Sequence, residues 1–211
     1  MELYRSIYGE NVSKWEELLQ NGLDPDIPCM CISFGYGGKY IITPLYQASS
    51  IGNFALCELL LKYKANPNIR TPGGTTPLWK AVAGGHLDVC QLLIKYNADP
   101  NIATVKGSTP LTAAGIYRHY DVFRYLLMNK NVDCSNVGNY NAYFAMYNLD
   151  IFHHASQEGD REMCQKIIKI VPEVTIKKEG QLDQNALTAA ADYEGISYRC
   201  QLYWMPVYCC R

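Results

Sequence analysis

The chain has 211 residues, 48% of them hydrophobic and 18% charged, a balance that supports a folded domain and excludes an intrinsically disordered one. Its formal net charge of -1 gives no general attraction to nucleic acid or to an anionic membrane. The start, Met1-Glu2-Leu3-Tyr4-Arg5-Ser6-Ile7-Tyr8, is not a signal peptide, and no later run of about 18 apolar residues could span a bilayer. These features predict a soluble, intracellular protein, cytoplasmic and with passage into the nucleus open to it.

In chain order, the first predicted element is a helix around Trp15-Glu16-Glu17-Leu18-Leu19-Gln20, closed by the turn formers Asn21-Gly22-Leu23-Asp24-Pro25-Asp26. Residues 28–38 follow as a glycine-rich loop that exposes Phe34 and Tyr36. Loops of this kind often carry recognition, although an inserted loop without a role is also thermodynamically tolerated.

The next elements are copies of one unit. Thr43-Pro44-Leu45 recurs as Thr76-Pro77-Leu78 and as Thr109-Pro110-Leu111, each 33 residues on. At the same offset Tyr63-Lys64-Ala65-Asn66-Pro67-Asn68-Ile69 matches Tyr96-Asn97-Ala98-Asp99-Pro100-Asn101-Ile102. Within a unit, Thr76 caps a helix, Pro77 suits its first position, and Leu78 and Ala81 begin its inner face. Gly84 and Gly85 end that helix, and residues 86–95 carry apolar side chains at three- and four-residue spacing for a second one. Asp88 and Lys95 complement the dipole of the second helix, and residues 97–107 return as an extended loop. Gly73-Gly74 is a hairpin turn.

Beyond Asp133 the pattern arrives about eight residues late, with Phe152-His153-His154-Ala155 and Gly159-Asp160-Arg161-Glu162-Met163-Cys164. Asn185-Ala186-Leu187-Thr188-Ala189-Ala190 starts a last unit, whose second helix is expected over 196–204 before Pro206 stops it. The end of the chain, Tyr203-Trp204-Met205-Pro206-Val207-Tyr208-Cys209-Cys210, is apolar where a stack of repeats needs a polar cap. Either it folds back, or it meets a partner, or further repeats follow in a longer chain. Whether residues 193–211 are a true cap stays open at this level.

The nine cysteines do not read as a disulfide scaffold. Cys57, Cys90, Cys164 and Cys200 recur in the helix-like segments as compact core residues, which suits a reducing compartment. Cys29 and Cys31 lie near the front and Cys209 and Cys210 at the back, too far apart in a stack of units to share one zinc ion. His153 and His154 cannot share a helix face, and no complete ligand set accompanies them. No nucleophile elbow or phosphate loop is present. The expectation is a chain with no catalytic residue, no metal and no cofactor.

The Thr-Pro-Leu copies, Gly85-His86-Leu87-Asp88-Val89 and Ala98-Asp99-Pro100-Asn101 resemble the ankyrin repeat family, most specifically over residues 40–134. The resemblance implies an all-α solenoid of stacked helix-turn-helix repeats with β-hairpin loops. It implies about six repeats in one domain, at about 1–38, 39–71, 72–104, 105–140, 141–182 and 183–211, the first and last atypical.

Members of that family bind proteins through hairpin tips and first helices. Mapped onto this sequence, that surface takes Lys39, Tyr40, Ile42, Gln47, Ser50 and Ile51 from the second unit. Pro72, Gly73, Thr75, Lys80, Ala83 and Gly84 come from the third, and Val105, Lys106, Ser108, Ile116 and Tyr117 from the fourth. Tyr46 and Trp79 stand where the family usually has histidine and are expected to fill the groove between repeats.

The expected partner is a protein, not nucleic acid or membrane, and the unbound chain is expected to be monomeric. The resemblance further suggests an adaptor or inhibitor, or a substrate-selecting subunit of a ubiquitin ligase, although no C-terminal segment resembles a SOCS box. It also suggests hydroxylation of Asn68 and Asn101 by an asparaginyl hydroxylase, each having a leucine eight residues earlier, at Leu60 and Leu93.

Overall fold

The computed structural model describes residues 6–8, 12–32, 39–134, 151–152 and 154–170. Met1–Asp133 form one compact unit and Cys134–Arg211 a second. In the first unit the elements are α1 (Val12–Gln20), β1 (Cys29–Ile32), β2 (Lys39–Ile42), α2 (Pro44–Ile51), α3 (Phe54–Lys62), α4 (Pro77–Ala83), α5 (Leu87–Lys95), α6 (Pro110–Ile116) and α7 (Tyr120–Met128). In the second unit, residues 151–152 and 154–157 are helical and α8 spans Arg161–Ile170. The expected helix over 196–204 and the last repeat lie outside the described residues.

Each first helix begins as its local sequence dictates. The hydroxyls of Thr43, Thr76 and Thr109 accept the N–H of Tyr46, Trp79 and Thr112, with proline opening each helix. Gly52 (φ 73°) ends α2 and Gly85 (φ 74°) follows α4, a left-handed conformation that glycine takes without penalty. Arg118 (φ 59°) holds the corresponding place after α6.

Helices pack in two rows. α2, α4 and α6 pack in sequence along one row, and α1, α3, α5 and α7 along the other. Ala48, Ala81 and Ala114 are fully buried at 33-residue spacing on the first row, where the absence of a large side chain lets neighbouring helices approach. Leu45, Leu78 and Leu111, with Leu60, Leu93 and Leu126, fill the interior at the same spacing, and Trp15 of α1 is fully buried. Such stacking buries apolar area only against neighbouring repeats, so the core is a chain of similar interfaces.

The buried-cysteine expectation holds for Cys57, Cys90 and Cys164, and at the matching place in the repeat between them stands Phe123. Cys200 lies outside the described residues. The loop after α1 is a true hairpin. β1 and β2 pair antiparallel, with Cys29 opposite Ile42 and Ile32 opposite Lys39.

Candidate functional site

Two sets of contacts join the repeats, one between first helices and hairpins and the other between the turns that follow the second helices. The first runs along the row of α2, α4 and α6. Tyr46 Oη lies 3.0 Å from Thr75 Oγ1, which is itself 2.6 Å from Thr71 Oγ1. One repeat later Trp79 Nε1 donates to Ser108 Oγ at 3.3 Å, and Ser108 Oγ lies 3.1 Å from Thr112 Oγ1. Both aromatics therefore reach from a first helix to the hairpin of the following repeat, as the groove-filling reading expected. Ile42 and Ser108, placed on the surface by the sequence mapping, are buried instead. Ser108 is drawn inward by Trp79 and Thr112, and Ile42 sits where the hairpin meets the core.

The exposed part of this face grows out of that ladder. Lys80 holds its ammonium 5.9 Å from the ring centroids of both Tyr46 and Trp79, one residue from each of two repeats. Tyr117, 49% exposed, packs edge-on to Trp79 with centroids 6.2 Å apart and stacks against His119 at 6.4 Å. Val105 is 72% exposed at a hairpin tip beside exposed Lys106. The tips are tied together by Val105 N–H donating to the Gly73 carbonyl at 3.1 Å. That approach requires glycine at 74, where φ is 79° and a Cβ would meet Val105 N at 2.8 Å.

Of the other predicted contact residues, Gln47 is half-buried and donates from Nε2 to Tyr8 Oη at 2.7 Å. Ile51 and Ile116 are half-buried in the last turns of α2 and α6. Tyr40 stands on β2 opposite Cys31. Phe34 and Tyr36 lie outside the described residues. Lys80, Trp79 and Tyr117 are thus brought together, and Tyr8 and His119 join the face although the sequence mapping omitted them. His119 was legible, since it repeats His86 at 33 residues; Tyr8 precedes any recognisable repeat and carried no such signal.

The second set of contacts bridges the turns after the second helices. Asn68 Nδ2 donates to the Asn97 carbonyl at 3.1 Å while its Oδ1 accepts Asp99 N–H at 2.8 Å. Asn101 repeats this with the Asn131 carbonyl at 2.8 Å and Asp133 N–H at 2.7 Å. Asp26 does the accepting half of the task for Asn66 N–H, and burial pushes its carboxyl up despite that bond. Asn68 and Asn101, the candidate hydroxylation sites, thus use both ends of their amides to hold repeat to repeat.

Burial pushes the Cys57 thiol up to about 12 and Cys164 to about 11, and Cys90 higher still; the hydroxyl of Ser49, 3.7 Å from Cys57 Sγ, acts weakly the other way. Such thiols are poor nucleophiles and poor ligands. Among the described residues no three His, Cys, Asp or Glu side chains gather as a metal site. His154 is exposed; His153, Cys209 and Cys210 lie outside the described residues. Among the described residues no helix is long and apolar enough to cross a membrane.

Residues 45–137 match the family model described as ankyrin repeats, in three copies. No curated protein matches the chain significantly.

Proposed function

Because this chain is an ankyrin-repeat protein over residues 45–137, and such repeats are generally protein-protein interaction modules, we propose that it is a non-enzymatic adaptor or inhibitor. In this reading it binds a segment of another protein across the face of α2, α4, α6 and their hairpins. The observation that carries the reading is Tyr117: a large ring left half in solvent, yet held by Trp79 on one side and His119 on the other. A supported aromatic loses little freedom when a partner covers it, and such residues commonly anchor interfaces. Val105 extends the exposed apolar area and Lys80 and Lys106 supply polar contacts around it.

The reading places the protein in the cytoplasm as a monomer until it meets its partner, and it treats Asn68 and Asn101 as sites of hydroxylation that would modulate the stack. The test is affinity purification from cell lysate with the intact chain beside a Tyr40→Ala, Ile51→Ala, Tyr117→Ala variant. A protein retained by the intact chain and lost by the folded variant supports this face. Recovery of the same proteins by both would move the binding site elsewhere on the chain.

A further inference from the structure

The nearly neutral chain hides an uneven division of charge. Between residues 39 and 119 the carboxylates are Glu58, Asp88 and Asp99. Glu58 lies on α3, Asp88 on α5, and Asp99 in the turn after α5, so all three belong to the second-helix side of their repeats. Bases occur on both sides. On the second-helix side Lys62 pairs with Glu58 at 3.3 Å. The hairpins and first helices carry Arg70, Lys80, Lys106 and Arg118, and the segments 39–51, 69–86 and 102–119 contain no Asp or Glu at all.

From this division we infer that the segment received by the first-helix face is an acidic stretch of a partner protein, with Asp and Glu set among apolar residues. The inference rests on the proposed binding face and names the chemistry of its occupant. An acidic segment meets the ammonium of Lys80 on a face whose own segments 39–51, 69–86 and 102–119 supply no carboxylate, whereas a basic one meets repulsion from it. Lys80 is the centre of the match. Two rings hold its ammonium in place without neutralising it, so the charge is positioned before a carboxylate arrives. Tyr117 and Val105 supply the apolar contacts that the residues between the acids would use.

The aromatic rings favour a peptide over single-stranded nucleic acid. Bases bind by stacking on open ring faces. Tyr46 and Trp79 are bonded edgewise into the inter-repeat groove, and Tyr117 already has His119 stacked against it.

The test is selection of a phage-displayed random dodecapeptide library on the full chain, followed by fluorescence polarisation of the enriched peptides. The expected peptides are rich in Asp and Glu, lose affinity as salt rises, and bind about tenfold more weakly to Lys80→Glu while Lys80→Arg retains them. Lys95→Glu, on the other row, should leave binding unchanged. Circular dichroism of each variant separates lost binding from lost folding.

Enriched peptides without acidic residues that still fail to bind Tyr117→Ala would overturn the acidic inference and leave the binding face standing. Peptides indifferent to Tyr117→Ala, or no enrichment at all, would overturn both. Tighter binding of a single-stranded oligonucleotide than of any selected peptide would replace the acidic peptide as occupant.

Discussion

Gly52 and His86 meet across two repeats: a Cβ placed on Gly52 would lie 2.6 Å from Nδ1 of the His86 ring. The same contact recurs between Gly85 and His119, again at 2.6 Å. His86 and His119 both stand at the N-cap of a second helix and neither makes a side-chain capping bond there. The rings are used between repeats instead. His119 Nε2 donates to the Ala83 carbonyl at 3.1 Å, which places the proton on Nε2. Glycine is thus needed at 52 and 85 twice over, for its left-handed backbone and for the space that the next repeat's histidine fills.

Gly52→Ala is expected to destabilise the protein by about 2 to 3 kcal/mol, through positive φ and overlap with the ring together. The midpoint of urea unfolding measures it. In Gly52→Ala, His86→Ala the overlap is gone, so the double variant should lose less than the sum of the singles by at least about 0.5 kcal/mol. Strict additivity would mean that the ring simply moves aside.

Trp79→Phe keeps an aromatic edge against Tyr117 but deletes the donor to Ser108. Since Ser108 retains its contact with Thr112, the cost is that of one hydrogen bond, about 1 kcal/mol. Trp79→Ala should cost about 3 to 5 kcal/mol, because it also empties the groove. Equal stability of the Phe variant and the parent would remove the Trp79–Ser108 bond from the account.

Asn68→Ala should raise amide exchange at Asp99 and leave Asp133 protected by Asn101, a site-specific change readable by hydrogen-exchange NMR. The loss of stability is only about 1 kcal/mol, since water reaches these exposed turns and can replace the lost bonds. For the proposed hydroxylation, the same double bonding requires that a hydroxylase draw Asn68 or Asn101 out of the folded turn. Added oxygen, followed by intact mass, should therefore appear faster in Gly52→Ala than in the parent chain.

Cys57 and Cys164 are held as thiols, with values pushed up from 9.0 to about 12 and about 11. In the unfolded chain a thiol ionises near 9.0, so below that pH both states are protonated and these groups add no pH dependence. Above it the unfolded chain releases its protons while the folded chain keeps them. Stability should fall progressively from about pH 9 toward 12 in urea titrations at rising pH. At pH 8 a thiol reagent should leave Cys57, Cys90 and Cys164 unmodified until denaturant is added; prompt labelling of the native protein would contradict their burial.

The repeat, the helix boundaries and most of the core were legible in the residues because they rest on local rules. Thr43, Thr76 and Thr109 cap the helices they precede, proline opens them, and leucine and alanine at three- and four-residue spacing mark the buried face. All of these act within about one turn of helix, a distance over which sequence order and spatial order coincide. Cys57 and Cys90 could be assigned to the interior for the same reason, as could the reach of Tyr46 and Trp79 into the groove.

What joins one repeat to the next was not legible in this way. Ile42 and Ser108 read as surface residues and are buried; Tyr8 read as nothing and joins the face beside Gln47. Lys80 lies over rings from two repeats, His86 occupies the space left by Gly52, and Asn68 grips the turn around Asp99. These partners are some thirty residues apart in the chain, so whether they touch depends on how far each repeat shifts and turns on its neighbour. That geometry is set by the summed packing of two helical rows. No single residue encodes it, and the proposed binding face, built from contacts between repeats, comes into being only when they stack.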